Sequence, residues 1–327
     1  MASRTAFGPG RVNLIGEHTD YNGGLALPFA IDRGVTVTAT PAPRFEVHAR
    51  DLDEHDAFDT PTPATGWRAF VRGMAAELHA EPARLTITGD LPRGSGLSSS
   101  AALETALALA LLRKEPDDRL ALAQLCSRVE NEWVGAHTGL LDQLASLLAR
   151  PGHVLKIDFK TLHLEHHPLD LGDWTLVTVD SGATHDLAAS GYNQRRAECE
   201  AAAAALGVEY LSDAQDIDRL DGVLKRRARH VLTENARVDA AAGALDAHDL
   251  PQLARLLDAS HASLRDDYDA STPEVERTVE ALKRHGAAGA RMVGGGFGGS
   301  VLALLAPGVV PPPGAFVVTP GRPAHFR

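Results

Sequence analysis

A glycine- and serine-rich loop runs directly into a predicted helix about a third of the way along the chain. Residues 91–100 read LPRGSGLSSS, and the alanine- and leucine-rich helix is predicted over 101–113. Glycine lets backbone N–H groups turn inward, and a helix start adds free N–H donors and the positive end of the helix dipole. The pattern therefore predicts a phosphate-binding loop. Its candidate contacts are Gly94, Ser95, Gly96, Leu97, Ser98, Ser99 and Ser100.

Two common nucleotide-binding loops are excluded by the spacing. The lysine of G-x-x-x-x-G-K-[ST] is missing, and the glycines do not follow G-x-G-x-x-G. An ordinary tight turn with a serine cap would also use glycine, but three consecutive serines exceed what one cap needs. The spare hydroxyl of Ser100 is a candidate ligand for a Mg²⁺ ion that bridges phosphates.

Two carboxylates on the next predicted helices are candidates for the chemistry. Glu130, in a helix predicted over 118–137, borders an apolar stripe and is a candidate Mg²⁺ ligand, because a hard cation prefers anionic oxygen. An exposed helix glutamate is the alternative. Asp142 begins a helix predicted over 140–150 and could accept a hydroxyl proton. A favourable charge in the first helical turn explains Asp142 equally simply.

A polar segment close to the N-terminus places three candidate binding residues within four positions. Residues 10–24 read GRVNLIGEHTDYNGG, which brings Glu17, His18 and Asp20 together. A metal site lacks support, because H-E-x-x-H and further ligands at suitable spacing are absent. Clustered donors and acceptors suit a polyhydroxyl ligand, since a site that pairs every hydroxyl rejects analogues with one missing or inverted. A polar loop with an Asn-Gly turn remains the alternative.

Composition excludes several classes of protein. The 327 residues carry 32 Lys and Arg against 43 Asp and Glu, a net charge of −11, which argues against a dedicated nucleic-acid binder. Two cysteines provide neither a disulfide framework nor a zinc quartet. No apolar run reaches the roughly 20 residues of a membrane-spanning helix, and no leader motif is seen. We expect a cytoplasmic protein without nucleic-acid or membrane partners.

Strands and helices alternate without a regular βαβ pattern, which favours an α+β architecture. Strands are predicted over 12–15, 25–40, 85–89, 153–159, 174–179 and 315–319, the region 212–285 is predicted to be mostly helical with a break at Pro251, and a second glycine-rich run, GGGFGG, covers 294–299. The length fits two packed domains.

These segments together resemble the galactokinases, a branch of the GHMP small-molecule kinase superfamily. Residues 10–24 are similar to the N-terminal signature of that branch, and 92–102 to the shared ATP loop P-x-x-x-G-L-S-S-S-A-A. Residues 294–299 resemble the third glycine motif, and 263–268, SLRDDY, is also similar to the family. The match spans nearly the whole chain in the right order.

The resemblance implies a role for individual residues. Asp142 matches the catalytic aspartate, and Arg11 the arginine beside it that stabilises the transferring phosphate. Ser100 and Glu130 match the Mg²⁺ ligands, and residues 94–100 the nucleotide-phosphate loop. The implied sugar contacts are Glu17, His18, Thr19, Asp20 and Tyr192.

The resemblance also implies the fold and the reaction. It implies an N-terminal ribosomal-protein-S5-domain-2-like domain over 1–170 and a C-terminal ferredoxin-like α/β domain over 171–327, with the active site in the cleft. We expect a monomer that phosphorylates galactose at its anomeric hydroxyl with ATP and Mg²⁺. A kinase for N-acetylgalactosamine or arabinose, and a non-catalytic galactose sensor, remain alternatives. Thr184 stands where several relatives carry a basic residue near the active site.

Overall fold

A computed structural model describes residues 3–91, 96–112, 114–136, 138–183 and 188–327. The predicted contacts Gly94 and Ser95, and the departure at Thr184, lie outside these residues. Within the described ranges the chain mixes sheets and helices without regular alternation, which confirms the α+β class.

The first half of the chain is built on a six-stranded sheet. Its long central strands pair antiparallel: Val37 lies opposite Ile87 in one buried core cluster, and Val12 lies opposite Phe29 in a second. Across the sheet the order is β13 (His325–Phe326), β1 (Arg4–Asn13), β3 (Pro28–Pro41), β6 (Ala83–Gly89), β4 (Phe45–Ala49) and β5 (Glu54–Phe58).

Four helices cover this sheet. The second, α2, is apolar on nearly all sides and buried from Ala101 to Leu111, as expected for a helix at the centre of a core. After α3 the chain continues into a π-helical turn, Val129–Val134, which ends at Gly135. The helices are α1 (Trp67–Glu77), α2 (Ser99–Leu112), α3 (Arg119–Arg128) and α4 (Leu141–Leu148).

A small three-stranded sheet links the two halves of the molecule. It consists of β2 (Leu25–Ala26), β7 (His153–Asp158) and β8 (His163–Pro168), all antiparallel. The short β2 lies directly after residues 16–24, so this sheet anchors one end of that polar segment.

The second half packs helices on a four-stranded antiparallel sheet. The order is β10 (Ala287–Met292), β11 (Ser300–Leu305), β9 (Thr175–Asp180) and β12 (Phe316–Val317). The helices are α5 (Ala188–Leu206), α6 (Gly222–Asp246), α7 (Leu250–Asp266) and α8 (Pro273–His285). Pro251 lies in the first turn of α7, where a missing N–H costs nothing, which confirms the predicted break.

The C-terminal residues return to the first sheet. Phe326 pairs with Ala6, and Ala324 is buried in the core beneath that sheet. The predicted boundary near residue 170 therefore does not separate all contacts by position in the chain, and it stays a prediction. Among the described residues, we find no helix with the length and hydrophobicity needed to cross a membrane.

Candidate active site

A cleft of about 370 Å³ lies where the two halves meet. Three chain segments form most of its walls: the polar loop (residues 16–24), the segment 135–142 at the start of α4, and the C-terminal glycine loop (residues 294–299). Gly96 of the phosphate loop (residues 91–100) and Tyr192 and Asn193 of α5 also line it. Segments far apart in the sequence thus converge on one cleft.

Arg11 and Asp142 form a bidentate ion pair in this cleft. Arg11 Nε donates to Asp142 Oδ1 at 2.6 Å and Nη2 to Oδ2 at 2.9 Å. Arg11 comes from β1 and Asp142 from the first turn of α4. Burial opposes the charge of Arg11, but the nearby Asp142 and Glu17 raise its pKa above the usual value. The Asp142 side chain remains 26% exposed, so a ligand in the cleft can reach it.

The phosphate loop is attached to the same arginine. Arg11 Nη1 donates to the Gly96 carbonyl at 2.6 Å, and the Arg11 backbone N–H donates to the Leu97 carbonyl at 3.1 Å. Helix α2 begins at Ser99, so its first N–H groups lie at the end of this loop. The buried hydroxyl of Ser98 has no hydrogen-bond partner in the part of the chain that the structure describes. An orphaned donor at a helix start suits an anionic ligand.

The two predicted magnesium ligands lie near each other. The Ser100 side chain lies close enough to the Glu130 carboxylate to lower its pKa. Glu130 Oε2 also accepts hydrogen bonds from Thr138 Oγ1 at 2.7 Å and Gln143 Nε2 at 2.8 Å. Burial, followed by the charge of Asp142, raises the pKa of Glu130. A hydroxyl and a carboxylate are hard oxygen donors, so the pair fits Mg²⁺.

Glu17 ties the polar loop to the C-terminal glycine loop. Its Oε1 accepts a hydrogen bond from the Gly294 N–H at 2.7 Å and lies 3.1 Å from Arg291 Nη2. Arg291 is fully buried and donates from Nη1 to the carbonyls of Asn13 and Leu14. One buried cation therefore holds both the end of β1 and the Glu17 side chain.

His18 belongs to a directional chain of hydrogen bonds. Its Nε2 lies 3.1 Å from the Gly295 carbonyl, which can only accept, so Nε2 carries the proton. Burial lowers the pKa of His18 to about 3, and the neutral ring therefore accepts at Nδ1 from the Tyr21 hydroxyl at 2.8 Å. Tyr268 then donates to Tyr21 at 2.8 Å, and the Cys199 thiol to Tyr268 at 3.0 Å.

Asp20 is held against a glycine. A Cβ built on Gly139 would lie 1.8 Å from Asp20 Oδ2, so only glycine allows the carboxylate its position. Burial, with the charge of Asp142 second, raises the pKa of Asp20 to about 7. Asp20 and Asp142 both line the cleft, so a single ligand bound there could contact both carboxylates.

The two remaining predicted sugar contacts differ from each other. Tyr192 lines the cleft from α5, with its ring 5.3 Å from that of His18. Thr19 does not line it: the side chain is fully buried, and Oγ1 lies 2.9 Å from the Gly16 carbonyl and 2.7 Å from the Leu25 carbonyl. The Thr19 hydroxyl therefore closes the polar loop on itself.

Sequence reasoning missed Arg291, Gly139 and the Tyr21–Tyr268 contact. Tyr268 lies in the SLRDDY segment, whose resemblance to the family was the only signal for it. Gly139 directly precedes the helix predicted over 140–150, and nothing in the local sequence distinguishes it from any other glycine before a helix. Arg291 contacts Glu17 across most of the chain, so no local spacing indicates the pair.

Comparison with protein-family models gives three matches. Residues 2–41 match the galactokinase galactose-binding signature, 67–150 the GHMP kinases N terminal domain, and 241–309 the GHMP kinases C terminal model. The segments that form the cleft lie inside these ranges, apart from the start of α5.

Individual proteins are similar over nearly the full length. The chain is 45% identical to a galactokinase of Mycobacterium bovis over 318 residues, covering 91% of this chain and 87% of the relative. It is 39% identical to a galactokinase of Thermotoga petrophila over 306 residues, covering 90% and 87%. The crystal structure of Lactococcus lactis galactokinase complexed with galactose superposes with a TM-score of 0.91 at 32% identity, covering 99% and 95%.

Proposed function

The chain belongs to the galactokinase family of the GHMP kinases, and from this premise we propose that it transfers the γ-phosphoryl group of ATP to O1 of α-D-galactose. The products are galactose 1-phosphate and ADP. At the level of residues, the bidentate Arg11–Asp142 pair in the cleft, directly beside the phosphate loop, carries the proposal.

We propose that Asp142 takes or orients the proton of the attacking hydroxyl. Both of its oxygens are held by Arg11, which fixes the carboxylate against the cleft. The new bond joins O1 to the γ-phosphorus, the bond from that phosphorus to the bridging oxygen of ADP breaks, and the O1 proton leaves for Asp142. Arg11 offsets the charge on the transferring group, so catalysis is mostly positioning and charge neutralisation.

Ser100 and Glu130 would hold a Mg²⁺ ion, which supplies charge neutralisation on the phosphates when bound. The donor set supports this, because both side chains offer oxygen and lie near each other. Thr138 and Gln143 orient the Glu130 carboxylate. Ser100 lies in the first turn of α2, whose free N–H groups would bind the phosphates.

The sugar would lie against the polar loop. Asp20 and Tyr192 line the cleft and are our candidates for direct contacts with sugar hydroxyls. Glu17 and His18 also line it, but Glu17 Oε1 and both His18 ring nitrogens already contact protein atoms. We therefore propose that these two mainly shape the pocket, and that Thr19 supports the loop from behind.

Substitution of Asp142 tests the proposal. Asp142→Ala removes the proton acceptor and leaves Arg11 without its partner, so kcat is expected to fall about 10²- to 10⁴-fold in a coupled ADP-release assay. Asp142→Asn keeps the shape and separates the loss of charge from the loss of the side chain. Asp173→Ala, at an exposed aspartate, is the control and should retain full activity. Near-wild-type turnover by Asp142→Ala would contradict the assignment.

Two alternatives are separated by the same assay. A panel of galactose, N-acetylgalactosamine and arabinose compares kcat/KM, and a higher value for another sugar would reject galactose as the substrate. Galactose-dependent ATP turnover distinguishes an enzyme from a sensor. The presence of Arg11, Ser100, Glu130 and Asp142 together favours the enzyme, because a sensor has no need of all four.

We further propose that the protein works as a cytoplasmic monomer on these small molecules alone. The net charge of −11 supports the absence of a nucleic-acid partner. Light scattering coupled to size-exclusion chromatography should return the mass of one chain, 34.6 kDa, with and without ligands.

A further inference from the structure

Two histidines stack on the solvent-facing side of the β4–β5 hairpin, at the edge of the six-stranded sheet. His48 lies opposite His55, with ring centroids 4.1 Å apart and planes at 15°. Asp53, in the connecting turn, adds a carboxylate, and one ligand atom from each of the three residues lies within 4.8 Å of the others. None of the three lines the cleft described above.

These three side chains are free to bind. Within the described residues, none of them makes a side-chain hydrogen bond or ion pair, although the His55 carbonyl accepts from Arg68. The histidines of β7 and β8 differ, because His163 and His167 contact Glu165, and His166 contacts the Leu148 carbonyl. The hairpin triad is the only such group of ligands in the part of the chain that the structure describes.

We propose that His48, Asp53 and His55 form a binding site for a borderline divalent metal ion of the Zn²⁺ class. Two imidazoles and one carboxylate are the donors that Zn²⁺ takes, whereas Mg²⁺ and Ca²⁺ prefer oxygen alone. With Zn–N bonds of about 2.0–2.1 Å, two tetrahedral ligand nitrogens stand about 3.3 Å apart. The ligand atoms of the three residues already lie within 4.8 Å of one another, and Asp53 and His55 are exposed and His48 half-buried, so their side chains can rotate to close the remaining distance.

The position of the site gives the ion a structural effect. β5 is an edge strand, paired only with β4 in the described structure. An ion held by His48, His55 and the turn residue Asp53 would join the two strands at the turn that connects them. Binding to the folded chain alone then raises its apparent stability.

Calorimetric titration with Zn²⁺, in buffer holding saturating Mg²⁺, tests the proposal on the full chain. Both cysteines are buried and do not compete. Wild type should bind one Zn²⁺ and melt at a higher temperature with it. His48→Tyr and His55→Tyr keep the ring stack but remove a ligand, and each should weaken binding at least about tenfold. Asp53→Asn should weaken it less, since asparagine tolerates the left-handed backbone there, φ 52°, and keeps an oxygen.

His163→Tyr is the matched control, an exposed strand histidine outside the triad, and should bind as wild type does. Circular dichroism verifies folding, and His55→Gln replaces any tyrosine variant that fails to fold. The Mg²⁺-dependent kinase activity of all these variants should equal that of wild type, so this test is independent of the proposed function. No Zn²⁺ binding by wild type, or equal affinity in the His48 and His55 variants, would overturn the site.

Discussion

The polar loop and the phosphate loop face the same cleft but are prepared for binding in opposite ways. In the polar loop, Glu17, His18 and Thr19 each use side-chain atoms in contacts with the protein itself. In the phosphate loop, the buried hydroxyl of Ser98 has no partner among the described residues. These three polar-loop side chains are thus paired within the protein, whereas the Ser98 hydroxyl of the phosphate loop is not.

The difference follows from the charge of the two ligands that we propose. A neutral sugar offers only ordinary hydrogen bonds, so its recognition depends on groups fixed beforehand, which reduces the entropy lost on binding. An anionic phosphate forms charge-assisted bonds of about twice the strength and can satisfy groups that wait unpaired. The side chains are therefore fixed beforehand in the polar loop, whose proposed ligand forms the weaker hydrogen bonds.

The largest expected effect comes from breaking the support of the polar loop at Arg291. Arg291→Met leaves Glu17 buried without its cation, so the free energy of unfolding should fall by about 3–5 kcal/mol in urea denaturation. Arg277→Met removes an exposed ion pair on α8 and should cost no more than about 1 kcal/mol. Similar losses in both variants would show that Arg291 does not brace the loop.

The next largest effect is expected on catalysis, from adding a side chain at Gly139. Gly139→Ala places a methyl group on the Asp20 carboxylate and displaces it, so kcat/KM for galactose should fall about 10²-fold while KM for ATP stays near its wild-type value. Gly243→Ala is the control, because a Cβ there meets nothing within 4 Å. It should leave the kinetics unchanged and stabilise α6 by about 0.5–1 kcal/mol.

A pair of hydroxyl deletions sharpens the contrast between the two loops. Thr19→Val removes a buried donor with protein partners and should cost about 1–3 kcal/mol of stability without changing KM for ATP. Ser98→Ala removes a hydroxyl without a protein partner, so stability should hold while KM for ATP rises severalfold. Thermal melts and steady-state kinetics on both variants measure these effects. Equal changes in stability and in KM for ATP in the two variants would contradict the contrast between the loops.

The remaining effect is a pH dependence at Asp20. Its pKa is raised from 3.8 to about 7, so this carboxyl binds more protons in the folded protein than in the unfolded chain between these values, and its contribution to stability should be lost as pH rises through this window. The pKa of His18 is lowered to about 3 and acts in the opposite direction, so the Asp20 contribution is read from the difference between wild type and Asp20→Asn. Above about pH 7 the Asp20 carboxylate is charged and accepts hydroxyl hydrogen bonds better, so KM for galactose should decrease in wild type, and identical pH profiles in Asp20→Asn would assign the titration elsewhere.

Local sequence was sufficient for the parts of the fold that local chemistry determines. The helix after the phosphate loop, predicted over 101–113, is α2 over Ser99–Leu112, because its alanines and leucines favour a helix in any setting. Gly96 and most of the C-terminal glycine loop, from the two glycine-rich runs noted in the sequence, line the cleft.

Local sequence did not predict the contacts between segments that are distant in the chain. The first strand was predicted over 12–15, yet β1 covers Arg4–Asn13 and contains Gly8, Pro9 and Gly10, which disfavour a strand. The reason is tertiary: a Cβ on Gly8 would lie 2.1 Å from the Ala102 carbonyl, so glycine permits α2 to pack directly on β1. Thr19 was similarly taken for a ligand contact because a sequence does not show which way a hydroxyl points.

The hydrogen-bond chain through His18 also restricts where a proton can travel. Each donor, from the Cys199 thiol through Tyr268 and Tyr21 to His18, points the same way, and the last one ends on the Gly295 carbonyl. A carbonyl has no proton to pass on, so this hydrogen-bond chain cannot conduct protons beyond Gly295. His18 lines the cleft but therefore offers no exit for a proton released from the sugar, which agrees with our proposal that a carboxylate, Asp142, takes it.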